Sequence, residues 1–261
     1  MIEDFIIYAL AAGSIMAALA GPIGSMMLWR SLSYFGDAMS HTALLGIAGG
    51  ILLGIGFNAG VFIMVVMCAL LFAFLREKKI AKADTLLCII AQVGLSLGII
   101  AMAFSQTGSS TLMGFLFGDI LALTIEDIMY ILGVGAVVLA ALGFIWNKMI
   151  LLTFDEETAM AEDKRLTLLN LLYMLLIALF VSLAVKTTGI LMVTALLIIP
   201  AAAMRHLSKT PEIMAVKASV LGVLSVFLGI WLSFRFDLPA GPAIVISAAA
   251  LGAFSFVFKK R

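Results

Sequence analysis

Asp37 and His41 stand four residues apart in the stretch SYFGDAMSH (33–41), immediately ahead of the apolar run TALLGIAGGILLGIGF. On a helix, residues four apart lie one above the other on a single face, so a carboxylate and an imidazole at this spacing can close on one ion together. That donor pair suits Zn2+ or Mn2+, with the imidazole favouring zinc. Two ligands are too few for a tight structural site and fit a place that an ion passes through. The same pair also reads as a buried ion pair fixing helix register, or as a proton relay, and the chemistry alone leaves all three open. If the chain is helical throughout from Arg30, taken as marking the inner surface, His41 lies roughly 16 Å deeper at about 1.5 Å per residue. That depth is near the bilayer midplane, where a carboxylate must face a cavity, a partner or an ion.

Other reactive side chains are less informative. The triplet FGD recurs at 117–119, so Asp119 is a candidate for lining the same path, although a carboxylate that caps a helix is the more ordinary role. Asp37 and Asp119 sharing a proton would make an intramembrane aspartyl protease, a reading that leaves His41 without work. His206, beside Arg205, reads as a surface histidine, and Cys68 and Cys88 lie inside apolar runs and read as small hydrophobes rather than soft ligands or a disulfide. The 16 methionines are spread along the chain without clustering. The stretch GSS at 108–110 has no histidine near it, which argues against a nucleophilic hydrolase.

The elements that must position Asp37 and His41 are membrane helices. Of the 261 residues 64% are hydrophobic and 12% charged, with a mean hydropathy of +1.23, far from soluble domains, in which about a quarter of residues carry charge. Apolar stretches fall near 5–28, 35–56, 58–75, 84–104, 125–146, 166–186, 189–204, 213–234 and 239–258. Each approaches the length that crosses about 30 Å of hydrocarbon, and the short alternation of barrel strands is missing. The expectation is an all-α, polytopic membrane protein with about eight or nine transmembrane helices and one domain spanning 1–261. The piece 111–123 (TLMGFLFGDILAL) is too short to span and reads as a re-entrant or broken helix, tolerable only where protein covers its backbone. The first segment follows MIED rather than a basic n-region, so it reads as a retained helix and not a signal peptide.

Orientation follows from the basic residues. With the N-terminus outside, all of the 16 Lys and Arg except Lys186, Lys217 and Arg235 fall on inner loops, as the positive-inside rule requires; the C-terminus is then cytoplasmic. The formal charge of +1 gives no footing for nucleic acid. Glycines at 46, 50 and 54, at 94 and 98, and at 114 and 118 repeat every fourth residue, a spacing that lets helix backbones approach closely in lipid. The longest polar interruption, NKMILLTFDEETAMAEDKRLT (147–167), reads as an inner loop carrying a short helix, either a solvated connector or a docking element.

Taken together, RSLSYFGDAMSHTALLG, LFGDILALTIED, LTFDEETA, GILMVTALLIIPAAAMR and DLPAGPAIV resemble the membrane permeases of metal-ion ABC importers. Within these they are most similar to the permeases that take up zinc in Gram-negative bacteria, in matching order from about residue 8 to 256. The resemblance implies a homodimer in the bacterial inner membrane, served by a cytoplasmic P-loop ATPase and a periplasmic zinc-binding protein. Zn2+ would be the substrate, and no cofactor would be permanently bound. It implies that Asp37 and His41 meet the metal, and that the coupling helix, with Phe154, Asp155, Glu156, Glu157, Thr158 and Ala159, docks on the ATPase. Where the family pattern places a glycine after that helix, this chain reads AEDKR.

The chain contains no Gly-Lys pair, hence no phosphate-binding loop of its own, so it is expected to be a transporter subunit rather than an enzyme. The alternatives are a manganese- or iron-type ABC permease, and a proton-coupled secondary metal carrier with Asp37 and His41 as its relay. Such carriers often show inverted repeats and paired broken helices, of which the sequence has no convincing example.

Overall fold

The structure is a computed structural model and describes residues 2–104, 114, 118, 120–154 and 164–257. These form helices α1 (Ile2–Trp29), α2 (Phe35–Leu52), α3 (Phe57–Glu77), α4 (Ala83–Phe104), α5 (Ile125–Phe154), α6 (Lys164–Arg205), α7 (Pro211–Phe236) and α8 (Ala240–Val257). One 3-10 turn, Ile120–Ala122, precedes α5, and no strand occurs among the described residues. The protein is all-α, as expected from its hydropathy.

Seven stretches are long and apolar enough to cross a bilayer. The 42-residue α6 supplies two of them, because Gly189 interrupts it with φ 75° and ψ 163°. Only glycine adopts such a backbone cheaply, and the hydroxyls of Thr187 and Thr188 turn back to the carbonyls of Leu183 and Ala184 at this break. The shorter apolar helix within α8, and α2 with its polar start, complete the nine segments read from the sequence.

Three boundaries differ from expectation. Segment two stops at Leu52 because Gly54 and Gly56 take positive φ (69° and 82°) and turn the chain into α3; Gly54 therefore leaves the packing stripe. Helix α5 runs to Phe154, well into the stretch read as a loop from residue 147. Asn147 and Lys148 are polar, but they are exposed, while Ile145, Met149 and Leu152 are buried at helical spacing. Finally, the chain is not helical from Arg30: α1 ends at Trp29, and α2 begins only at Phe35. His41 is thus six residues into its helix, about 9 Å along the axis, and the depth argued from continuous helix does not hold.

The described residues divide into two compact units. One draws on Trp29–Gly108 and Val137–Ser182. At its centre α2 packs against both α3 and α4, and glycine makes the approach possible. A Cβ on Gly60 of α3 would land on the carbonyl of Gly46, and one on Gly94 or Gly98 of α4 would strike Thr42 or Leu45 of α2. Phe35 and Phe72 close the unit edge to face, 5.4 Å between ring centres. The second unit draws on Met1–Leu28, Ser109–Ala136 and Leu183–Arg261. Here α1 meets α6 at Gly24 and Leu197, and meets α7 at Gly21 and Ser219, whose hydroxyl donates to the Ala18 carbonyl. Helix α8 packs on α7 through Gly229 and Ile244.

Candidate functional site

From Phe35 to Gly50 helix α2 is buried except for a single stripe; Ile51 and Leu52 at its end are exposed. Ala38, Met39, Ser40, Thr42, Ala43, Leu44, Gly46, Ile47 and Ala48 are all buried. Between Phe35 and Gly50 only Asp37, His41, Leu45 and Gly49 remain partly open. These four recur every fourth residue, so they form one row along one face. Leu45 and Gly49 continue the spacing of Asp37 and His41, which is the signal that could have found them; carrying no charge, they drew no attention in the sequence.

At the head of the row the Nδ1 of His41 lies 3.7 Å from a carboxylate oxygen of Asp37, with the histidine side chain 21% exposed and the aspartate 37%. Asp37 occupies the first turn of α2, where the positive end of the helix dipole favours a carboxylate. The His41 Nδ1 is itself enclosed and has no hydrogen-bond partner in the structure, since 3.7 Å is too long for one. A carboxylate and an imidazole nitrogen this close, on one face and short of bonding each other, have the chemistry to share a cation or a proton. Among the described residues no group of three or more His, Cys, Asp or Glu gathers to hold a metal. The pair itself offers two donors, one carboxylate and one imidazole nitrogen.

Neighbouring helices hold the pair in place. Thr42, next to His41, donates to the Met39 carbonyl at 2.9 Å and packs against Gly94 of α4. Arg30, read from the sequence as a surface marker, is instead 7% exposed, and its guanidinium donates to the Met149 sulfur of α5 at 3.5 Å. It anchors the turn from which α2 departs to the helix that runs toward residue 155. Asp119 lies outside the described residues, as do Asp155, Glu156, Glu157, Thr158 and Ala159; Phe154 is the last residue of α5. His206 is not a free surface histidine. It is half-buried, its Nε2 sits 3.0 Å from the Ser255 carbonyl and its ring stacks on Phe256. Cys68 and Cys88 are free thiols, on α3 and α4.

The family model of the ABC 3 transport family matches residues 2–259. The chain belongs to that family. It is therefore a metal-ion ABC permease and a multi-pass membrane protein, as the resemblance implied. It is 36% identical over 254 residues to the high-affinity zinc uptake system membrane protein ZnuB of Haemophilus influenzae, covering 97% of each chain. It is 31% identical over 252 residues to the manganese import system permease protein ScaB of Streptococcus gordonii, covering 97% of this chain and 90% of that one. Among solved structures it resembles PsaBC from Streptococcus pneumoniae in complex with Fab, with a TM-score of 0.84 and 30% identity over 98% of this chain and 95% of the other.

Proposed function

We propose that this permease is the membrane subunit of an ATP-driven importer that carries Zn2+ from the periplasm to the cytoplasm. On this reading two copies form the path, with Asp37 and His41 of each meeting the ion. A separate P-loop ATPase docks on the segment that begins at Phe154, and a periplasmic zinc-binding protein delivers the metal. The protein sits in the bacterial inner membrane with its C-terminus in the cytoplasm, and Zn2+ is cargo, not a resident cofactor. The observation that carries the reading is the open stripe of α2. From Phe35 to Gly50 the helix leaves uncovered only the row that begins with a carboxylate and an unpartnered imidazole nitrogen, and ionisable groups in membrane segments mark ion routes. Similarity to zinc-uptake permeases over nearly the whole chain and the preference of imidazole for zinc support Zn2+ as the ion.

Zinc uptake into cells or proteoliposomes holding the full complex tests this. Asp37→Ala and His41→Ala are each expected to lower uptake at least ~10-fold, the scale for losing a group that serves a metal site, and to abolish growth on chelated medium with the protein still in the membrane. Wild-type uptake by both variants would refute the reading. A manganese permease is the second reading, favoured by the similarity to ScaB. Competition between Zn2+ and Mn2+ for uptake separates the two.

A further inference from the structure

We propose that the cavity formed where α6 ends, α7 begins and α8 ends binds one anionic phospholipid, one of its two acyl chains in the cavity and its phosphate at Lys217. The cavity measures about 380 Å³, within the range of sites that hold a single ligand. Met204 and Leu221 form its floor, in a buried cluster with Ala203 against which Leu207 and Leu251 pack. Its open wall is the row Val216, Val220 and Leu224 of α7, all exposed, with Phe254 of α8 also lining it. Those three residues are one turn apart, so the groove follows the α7 axis for about 12 Å. That is the form of an extended hydrocarbon chain, not of a rounded solute.

Charge sits at the mouth. Lys217 is half-buried, and its Nζ donates to the Leu207 carbonyl, which pins the ammonium at the rim. An ammonium has three donors, so two remain to turn toward a phosphate. The Ser255 hydroxyl is engaged by the carbonyls of Ala203 and Gly252, which leaves headgroup recognition to the cations. Arg205, the last residue of α6, and Lys209 on the connection to α7 are exposed, with the Glu212 carboxylate on the first turn of α7. Basic pockets between transmembrane helices select anionic headgroups. A second copy of the chain is the poorer occupant. A two-fold contact centred here would present the same patch from both sides, setting Arg205, Lys209 and Lys217 against their own counterparts and two grooves against each other.

Native mass spectrometry of the full-length chain, released from nanodiscs containing equal amounts of phosphatidylglycerol and phosphatidylcholine, tests the site. One phosphatidylglycerol per protomer should be retained in preference to phosphatidylcholine. Lys217→Gln should reduce that preference about fivefold, and Arg205→Gln with Lys209→Gln further, at about fivefold for each cation removed near the surface. Val220→Trp should empty the groove of both lipids. A bimane label on Val220→Cys gives a second readout if the tryptophan variant fails to fold, with stronger quenching expected from brominated phosphatidylglycerol than from brominated phosphatidylcholine. Equal retention and equal quenching by the two lipids would overturn the proposal. So would efficient cross-linking of Val220→Cys between two copies, which would make the groove an interface.

Discussion

At the scale of single residues, the proposed chemistry rests on two donors of unlike hardness held 3.7 Å apart. If the imidazole supplies the bias toward zinc, replacing it by a carboxylate should move the bias. His41→Asp is expected to depress Zn2+ uptake more than Mn2+ uptake, because an all-oxygen pair suits the harder ion; competition uptake with both metals measures the ratio, and an unchanged ratio would remove His41 from metal choice. Asp37 and His41 were legible in the sequence because charge in an apolar chain demands a reason and spacing by four supplies a shared face. The environment of Arg30 was not legible. A basic residue at a segment end normally marks the membrane edge, whereas here it is enclosed against Met149 of a helix more than a hundred positions away, a contact that no local pattern announces.

At the scale of elements, α2 is positioned by close approach, and glycines differ sharply in what they contribute. Gly60 faces the backbone of Gly46 and Gly50, whereas Gly49 faces nothing within 4 Å. Gly60→Ala should destabilise the protein by about 1–3 kcal/mol, the cost of overpacking, while Gly49→Ala should leave its melting temperature in detergent unchanged. A bulky Gly49→Phe should also fold yet impede uptake, since it fills the open row; normal transport by that variant would separate the row from the path. Gly189→Ala should lower stability by roughly 1–2 kcal/mol, because a Cβ is strained at positive φ, and thermal unfolding of the purified chain reads it. Nine apolar segments could be located from hydropathy because lipid enforces length. Their ends could not: Gly54 looked like one more packing glycine but is a turn, and Asn147 and Lys148 looked like a loop but form the exposed side of a continuing helix.

At the scale of the whole molecule, a permease without a phosphate-binding loop must receive its energy through contact. The acidic run Asp155-Glu156-Glu157 follows α5 in sequence, and α5 is the helix to which Arg30 is tied. Reversing the three charges to lysine should cost co-purification of the ATPase and stop transport while the permease still inserts; retention of the ATPase would place docking elsewhere. The row on α2 has one more implication. Its rungs are about 6 Å apart, and the donors occupy only the first two, while the leucine and the glycine that follow offer an ion nothing to grip. On the proposed reading, a cation that leaves the histidine steps from an adhesive lining onto a smooth one, so capture is local and what comes after is escape rather than a relay of further binding.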